Sequence, residues 1–420
     1  MPGRLEFDLS LSAQPTRGIP NRGAVRLLLL GDFSGRAPAG RPPLASRPTL
    51  RVDIDSLDGR LQALGAGITL NGLRLAFTSI DDFHPDNLLG RLPALPDGDA
   101  PAAPASPAQP PADDAGQAAL LARLLAGGAA GAPDSPGAAA PAGLDAFIRQ
   151  LVAPQVVKDD PAARAAAEAA DTAAARRLRA VLHAPAFQAL EANWRGVHWL
   201  VNQLELDEQL QVHLFDVQRE ELLDDLVAAG GQVARTGLFQ ALVQRGRDQP
   251  GGAGWSALVG LWDFGPSVLH IGLLAALGQL AAKAGAPLLA GAELALAVDD
   301  PQALAGWQAL RQSDVAPWIG LAAPGPLLRQ PYGPRSDPVQ ALDFEEFGGG
   351  APDVARCLWG PAALVPALLL ARGAAGAVVD VDGLPAVSWR QDGESHLLPV
   401  AWPALDEAGA QRLQDRKSVV

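Results

Sequence analysis

The sequence is poor in several residue types whose abundance would mark a particular class of protein. Its 420 residues include one cysteine (Cys357), one tyrosine and one methionine. A single cysteine excludes an internal disulfide framework and is typical of a reducing compartment. Only three of the 33 basic residues are lysine, and the formal net charge is −13. This charge argues against nucleic acid as a partner, because phosphate binding requires a basic surface.

Long apolar runs are also missing. The best candidate for a membrane span, Leu364–Leu370, is far shorter than the roughly 18 residues that a span requires. The N-terminus, MPGRLEFDLS, lacks the apolar core of a signal peptide. We therefore expect a soluble, cytoplasmic protein that has no membrane partner and is long enough for two or three domains.

The first pattern along the chain is the strict alternation of RLEFDLSL (4–11). Leu5, Phe7, Leu9 and Leu11 alternate with polar residues, which predicts a half-buried strand at a chain end. Such a strand can pair locally or add to the sheet edge of a neighbouring molecule. The residues alone slightly favour local pairing.

The next segment, residues 24–89, is expected to alternate strands and helices. An apolar run at 24–30 predicts a buried strand that ends in GDFSGR (31–36). The serine stands one place too late for the Gly-x-Ser-x-Gly elbow of a hydrolase, and no phosphate-binding loop motif is present. We therefore interpret GDFSGR as a turn. Strands are predicted at 49–54 and 73–79, with a helix at 56–64 between them.

Acidic residues and a histidine cluster in DDFHPDNLL (81–89), which raises the hypothesis of a metal site. However, the spacing of Asp81, Asp82, His84 and Asp86 matches no calcium loop, which needs a glycine at the turn and a glutamate at its end. A helix that starts at Asp82 or Pro85 is the simpler interpretation. No metal is expected.

Residues 96–142 consist almost entirely of Ala, Pro, Gly, Ser and Asp and contain no aromatic residue. This composition predicts a linker. Within it, the segment Gln117–Ala126 places Leu120, Leu121, Leu124 and Leu125 on one helical face. The segment is either a docking peptide for a groove or a transient helix without a role.

The stretch from His183 to Leu226 has the clearest helix–strand–helix pattern. Apolar residues at three- and four-residue spacing predict an amphipathic helix, a strand follows at 212–217, and a second helix begins near Arg219. We interpret the apolar face of the first helix as a packing surface, here called the core platform, formed by Phe187, Leu190, Trp194 and Val197.

Beyond residue 254, short apolar strands alternate with helices. Strands are predicted at 255–265, 287–290, 377–381 and 396–400, and helices at 268–284 and 358–372. This order predicts an α/β fold with buried strands in mixed sheets. Between residues 329 and 346 we expect a mixed-charge contact surface formed by Arg329, Tyr332, Arg335, Asp337, Glu345 and Glu346.

No pattern in the sequence carries chemistry. The six histidines (84, 183, 198, 213, 270 and 396) are scattered, and no zinc, dinucleotide or catalytic-triad motif occurs in a supporting context. We therefore expect no catalytic, cofactor-binding or metal site and no enzymatic activity.

Two groups of motifs resemble the subunits of the type VI secretion contractile sheath. LLLLGDFSGR, RVDIDSLDGRLQAL and LRLAFTSIDDFHPDNLL resemble the small subunit (TssB/VipA family). LDAFIRQLV, AVLHAPAFQALEANWRGVHWLV, LFDVQREELLDDL, LVGLWDFG and LRQSDVAPWIGLAAPGPLLRQPYG resemble the large subunit (TssC/VipB family). The motifs are collinear and cover roughly 1–95 and 143–415.

The resemblance implies a small-subunit-like domain at 1–95, an Ala/Pro-rich linker at 96–142, and a large-subunit-like domain at 143–420 that lacks the usual C-terminal tail. In the family, one small and one large subunit interlock as a protomer, and protomers form a helical sheath around an inner tube. Contraction of the sheath drives the tube outward. The implied partners are other sheath subunits, the inner-tube protein and the baseplate.

Two further expectations follow from the resemblance. The AAA+ unfoldase that recycles the family's contracted sheaths recognises a short helix whose position corresponds to Gln117–Ala126, although acidic residues usual in that helix are absent here. The strand Leu5–Leu11 becomes a candidate for exchange between subunits. The fusion and the missing tail leave two alternatives, namely a fused sheath protomer that polymerises and a non-polymerising cap, adaptor or assembly modulator.

Overall fold

The computed structural model describes residues 6–7, 24–92, 161–245, 254–293, 301–348, 351–373, 379–380, 383–391 and 394–403. Residues 1–93 and 174–420 form one compact unit, and residues 94–173 form a second. In the second unit the described residues, 161–173, are helical.

Strands and helices are mixed along the whole described chain. The strands are β1 Glu6–Phe7, β2 Val25–Gly31, β3 Leu50–Val52, β4 Gly67–Leu70, β5 Leu73–Ala76, β6 Leu210–Asp216, β7 Ala257–Phe264, β8 Leu288–Ala292, β9 Ile319–Ala322, β10 Gly325–Pro326, β11 Val379–Asp380, β12 Ser388–Gln391, β13 Glu394–Leu397 and β14 Ala401–Trp402. The helices are α1 Leu57–Leu64, α2 Pro85–Leu89, α3 Pro161–Leu182, α4 Pro185–Asn202, α5 Arg219–Ala228, α6 Gly237–Phe239, α7 Val268–Ala284, α8 Pro301–Arg311 and α9 Leu364–Ala371. A π-helical turn, Gln240–Gln244, continues α6.

A six-stranded sheet in the order β3-β6-β2-β7-β8-β9 forms the centre of the first unit. Strands β6, β2, β7, β8 and β9 run parallel to their neighbours, and β3 is antiparallel to β6. Strand β2 comes from the first 31 residues of the chain, yet it lies between two strands formed more than 170 residues later. Residues 25–52 and residues 210–322 therefore contribute strands to the same sheet.

The sheet is buried on both faces, which explains why its strands are nearly continuous apolar runs. Leu27 and Leu29 of β2 pack on one side with α4 and α9. Leu28 and Leu30 pack on the other side with α7. The predicted α/β fold with mixed sheets is confirmed, because four smaller antiparallel pairs accompany the central sheet.

Strand β4 is missing from the sequence-based prediction, which placed a single strand at 73–79. The structure forms an antiparallel β4–β5 hairpin. Its turn residues, Asn71 and Gly72, have φ values of 48° and 82°, the left-handed conformation that an Asn-Gly hairpin turn requires. The Asn71–Gly72 pair is the sequence feature that could have predicted this hairpin.

The predicted helix 358–372 begins six residues too early. Helix α9 starts at Leu364, whereas Leu358–Gly360 are extended and pair with the segment before them. The Leu328 N–H donates to the Leu358 carbonyl, and the Gly360 N–H donates to the Pro326 carbonyl. These long-range backbone pairs override the local helical pattern. Among the described helices, none is long and apolar enough to cross a membrane.

Candidate functional site

The loop that follows β2 is held rigidly by polar contacts. The backbone N–H groups of Phe33 and Ser34 donate to Asp216 Oδ1 at 2.8 and 3.0 Å, and the Gly35 N–H donates to Asp32 Oδ1 at 2.8 Å. Gly35 has a φ of 60° and lies against the Gly67 carbonyl, so a side chain would not fit there. The interpretation of this loop as a turn is confirmed.

Two arginines that follow this loop are buried against three carboxylates. We call this group the arginine clasp; it consists of Arg41, Arg47, Asp32, Asp216 and Glu221. Arg41 Nη2 lies 2.5 Å from Asp32 Oδ1, and its Nη1 lies 3.3 Å from both Asp216 Oδ1 and Glu221 Oε2. Arg47 donates to both oxygens of Glu221, at 2.5 and 3.0 Å. The side chain of Arg41 is 1% exposed.

The clasp joins segments that are distant in sequence. Burial alone would raise the pKa of Glu221, but the hydrogen bonds and positive charges of the two arginines and the Gln218 N–H lower it. A buried carboxylate that loses its arginine strongly destabilises the fold. Separating the two segments therefore costs a large amount of free energy. The clasp therefore locks residues 32–47 onto residues 216–221.

A second buried charge cluster lies between α4 and the segment after β10. We call it the Arg329 cluster; it consists of Arg329, Glu191, Glu346, Arg195 and Tyr332. Arg329 reaches Glu191 at 3.0 Å and Glu346 at 2.8 Å, and Arg195 reaches Glu191 at 2.7 Å. The Arg329 guanidinium also lies 4.3 Å from the centre of the Tyr332 ring.

The surroundings of the Arg329 cluster hold its charges in fixed states. Burial alone would raise the pKa of Glu346, but Arg329, His183 and the Tyr332 N–H lower it to about 2. Burial raises the pKa of Tyr332 to about 12. Arg329 and Glu346 thus form an ion pair at neutral pH.

The expectation of a mixed-charge surface at 329–346 is wrong for three of its members. Arg329, Tyr332 and Glu346 are 7%, 2% and 2% exposed. The sequence could not reveal this burial, because the partner Glu191 lies 138 residues before Arg329. Of the six residues, Arg335 and Asp337 are exposed, and Glu345 is partly buried.

The four residues of the core platform lie on the inner face of α4, each no more than 2% exposed. Phe187 makes edge-to-face contacts with Phe77 and Phe83, with centroids 5.9 and 5.8 Å apart. Trp194 packs on Phe33 and donates its indole N–H to the Phe33 carbonyl at 2.8 Å. Leu190 and Val197 belong to the same apolar cluster. The platform thus contacts side chains from residues 33–83.

The acidic segment 81–86 serves to start a helix. Asp82 accepts from the Thr78 and Ser79 N–H groups and pairs with Arg91. His84 is the N-cap of α2, and Asp86 accepts from the backbone of residues 340 and 341. The predicted helix start is confirmed. Among the described residues, no group of three or more potential ligands could hold a metal ion.

The remaining candidate residues lie mostly outside the described part of the chain. Phe7 is in β1, whose backbone pairs with β11 of the same chain, Phe7 opposite Val379. Outside the described residues lie Leu5, Leu9, Leu11, Leu120, Leu121, Leu124 and Leu125. Strand exchange and unfoldase recognition therefore stay predictions.

Comparison with known proteins gives one family and one curated relative. The VipB family model, "EvpB/VC_A0108, tail sheath N-terminal domain", matches residues 165–304 and 296–377, just over half of the chain. Over 221 residues the chain is 31% identical to the type VI secretion system sheath protein TssC1 of Pseudomonas aeruginosa. The alignment covers 49% of this chain and 44% of the relative, so the chain spans less than half of that protein's length.

The family match includes four of the six strands of the central sheet, β6, β7, β8 and β9. It spans the platform helix α4, the clasp carboxylates Asp216 and Glu221, and the Arg329 cluster. The chain therefore belongs to the VipB family of tail sheath proteins.

Proposed function

We propose that this chain is a structural protomer of the type VI secretion contractile sheath in which small-subunit and large-subunit parts are joined in one polypeptide. It assembles with other sheath subunits around the inner tube, with one end of the sheath on the baseplate, and contraction propels the tube. The role is structural, without catalysis. The AAA+ unfoldase remains a candidate partner through Gln117–Ala126.

The position of β2 in the central sheet carries this proposal. Residues 25–31 pair on one side with β6 and on the other with β7, and the family match begins only at residue 165. A segment that precedes the matched region thus supplies a central strand, which is the arrangement expected when a small subunit interlocks with a large one. Joining both parts in one chain fixes their ratio and raises their local concentration.

The clasp and the core platform support the same interpretation. Both connect residues 32–83 with residues 187–221 through buried contacts. A sheath that contracts needs protomers that stay intact while their mutual contacts change. Buried charge pairs and interlocked strands provide such an intact protomer.

Electron microscopy of negatively stained protein tests the proposal. The purified chain is imaged alone and with an inner-tube protein, and we expect hollow tubes. If the folded chain remains as single particles, or binds only at the ends of sheaths formed by separate subunits, the alternative of a cap, adaptor or assembly modulator is correct.

A pair of matched variants tests strand exchange by the N-terminal strand. Replacing Leu9 and Leu11 with aspartate disrupts the apolar phase of the alternating segment, whereas Asp8→Asn and Ser10→Asn change only the polar phase. We expect tubes from the second variant and none from the first. Equal tube formation by both variants would remove strand exchange from the proposal.

A further inference from the structure

An open cleft lies at the carboxyl edge of the central sheet. Its volume is about 850 Å³. Because β2, β6, β7, β8 and β9 are parallel, residues at their carboxyl ends converge there, among them Asp32, Gln218, Asp263, Glu293 and Ala323. In sheets of this type, ligands bind in the crevice outside the carboxyl ends of the strands.

The charge of the cleft is strongly one-sided. Four carboxylates line it (Asp32, Glu220, Asp263 and Glu293), and the one cation among its described lining residues is Arg219. Arg219 donates to the backbone carbonyl of Asp263 at 3.2 Å and lies 3.9 Å from Glu220. Asp32 already belongs to the arginine clasp. The cleft therefore retains uncompensated negative charge at Asp263 and Glu293.

His270 does not neutralise Glu293. Its Nδ1 lies 3.5 Å from Glu293 Oε1, but the same nitrogen accepts a hydrogen bond from the Gly265 N–H at 2.8 Å. A nitrogen that accepts a hydrogen bond carries no proton. Burial, followed by the nearby Arg219, lowers the pKa of His270, which also favours the neutral ring. No described residue donates a hydrogen bond to the Asp263 carboxylate.

The backbone around these two carboxylates leaves room for them. The pairing of β7 with β8 shifts in register between Val259 and Asp263, and an irregularity of this kind re-aims side chains. A Cβ atom added at Gly291 would overlap the Asp263 carboxylate, and one added at Gly265 would overlap that of Glu293. Glycine at both positions lets the carboxylates lie against the strand ends.

Tryptophans cover other parts of the cleft wall. Trp359 and Trp402 stack with their ring centroids 6.1 Å apart and an interplanar angle of 25°, and Trp262 also lines the cleft. All three are partly exposed. Faces of tryptophan rings attract cations. An arginine guanidinium suits such a site best, because it stacks on aromatic rings and pairs with carboxylates in a fork.

We infer that this cleft binds an extended, arginine-bearing polypeptide segment of a partner protein. The guanidinium pairs with Asp263 and Glu293, and the neighbouring residues of the segment cover the tryptophans and prolines of the wall. The cleft is far larger than one guanidinium, so a polypeptide fills it better than an isolated cation. The inference concerns the single chain and does not require that it polymerises.

Fluorescence anisotropy with the full-length, unassembled chain tests the inference. The probes are a labelled peptide of alternating arginine and proline and the same peptide with citrulline, an uncharged isostere, in place of arginine. We expect the citrulline peptide to bind about tenfold or more weakly. Equal binding of the two peptides, or no binding of the arginine peptide, would overturn the inference.

Matched variants locate the binding. Asp263→Asn and Glu293→Gln should each weaken binding of the arginine peptide about fivefold or more. Glu208→Gln, at a side chain that is 84% exposed and outside the cleft, should leave it unchanged. Equal weakening by all three variants would mean attraction to the net charge alone. Displacement of the peptide by spermidine at equal concentrations would mean a site for any polyamine. Equal weakening by all three variants and displacement by spermidine would each contradict the inference.

Discussion

Carboxylates in two regions of this protein meet opposite electrostatic surroundings. In the Arg329 cluster, the carboxylate of Glu346 is buried but paired with Arg329, and its pKa falls to about 2. In the cleft, Asp263 is exposed, but the enclosing protein and the nearby Glu293 raise its pKa to about 6, against the smaller opposing effect of Arg219. Burial acts to raise the pKa of both carboxylates, and the ion pair with Arg329 reverses the direction at Glu346.

The difference separates positions that hold the fold from positions that are ready to bind. Ionised Glu346 stabilises the folded state, because its positive partners exist only there. Ionised Asp263 destabilises the folded state, because folding encloses the carboxylate in protein and brings it near Glu293. A carboxylate that is unfavourable in the free protein gains a cation only when a partner supplies one. The same residue type therefore serves the core in one region and recognition in the other.

Removing the positive partner of the Arg329 cluster should have the largest effect. Arg329→Met keeps the length of the side chain but leaves Glu191 and Glu346, 0% and 2% exposed, without that charge. We expect the free energy of unfolding to fall by about 3–5 kcal/mol. Urea unfolding followed by tryptophan fluorescence measures it.

An exposed ion pair provides the control for this substitution. Arg356 pairs with Asp353 at 3.3 Å, and both side chains are more than half exposed. Arg356→Met should therefore change the free energy of unfolding by less than about 1 kcal/mol. Similar effects of Arg329→Met and Arg356→Met would show that burial of the Arg329 cluster contributes nothing to stability.

Acid should remove the contribution of Glu346 to the free energy of unfolding in a defined pH window. The pKa is about 2 in the folded chain against an ordinary value of 4.5, so the stabilisation is complete above pH 4.5 and is lost as the pH falls towards 2. Glu346→Gln should be less stable than the parent by about 3 kcal/mol at neutral pH. The difference in the free energy of unfolding between the parent and Glu346→Gln should shrink as the pH falls from 4.5.

The neighbouring Glu345 tests whether this pH dependence is specific. Its carboxylate makes no ion pair with any described residue, although its backbone carbonyl accepts from Arg179. Unfolding midpoints of Glu345→Gln and the parent should therefore follow the same pH dependence. A constant gap between the parent and Glu346→Gln across the acid range would contradict the assignment.

Local patterns in the sequence predict the layers of this fold but not its buried charges. The 3.6-residue spacing around Trp194 and the apolar run at 24–30 correctly predict a helix and a strand, because both patterns reflect burial within one element. Arg41 and Arg47 lie in a Pro- and Gly-rich segment without periodicity. Their partners, Asp216 and Glu221, follow 169 or more residues later, so only the folded chain reveals the pairs.

The cleft escapes sequence reasoning for a related reason. Asp263 lies in β7 and Glu293 directly follows β8, and each comes after an apolar run that predicts only a buried strand. Their proximity results from parallel pairing of β7 and β8, and the orientation of Asp263 from the register shift before it. No short-range pattern in the sequence predicts this pairing or the irregularity before Asp263. The chain order of strands could have predicted a shared edge, but not which side chains remain unpaired there.

The smallest of these expected effects concerns Asp263, whose pKa is shifted in the opposite direction to that of Glu346. The pKa is about 6 in the folded chain against an ordinary value of 3.8, so the folded state is favoured below pH 3.8 and loses stability as the pH rises to 6. Asp263→Asn should therefore stabilise the protein at neutral pH. Because this side chain is open to solvent, we expect a gain on the order of 1 kcal/mol.

Urea midpoints of the parent and Asp263→Asn, measured between pH 3.5 and 8 (about two units beyond the upper pKa), check this prediction. The gain should vanish at the acid end, where the parent also carries a neutral Asp263. Asp224→Asn, at an exposed position of α5, should produce no such pH-dependent gain. If Asp263→Asn destabilises the chain at neutral pH, the carboxylate has a stabilising partner in the fold. The contrast between the paired core and the unpaired cleft would then be lost.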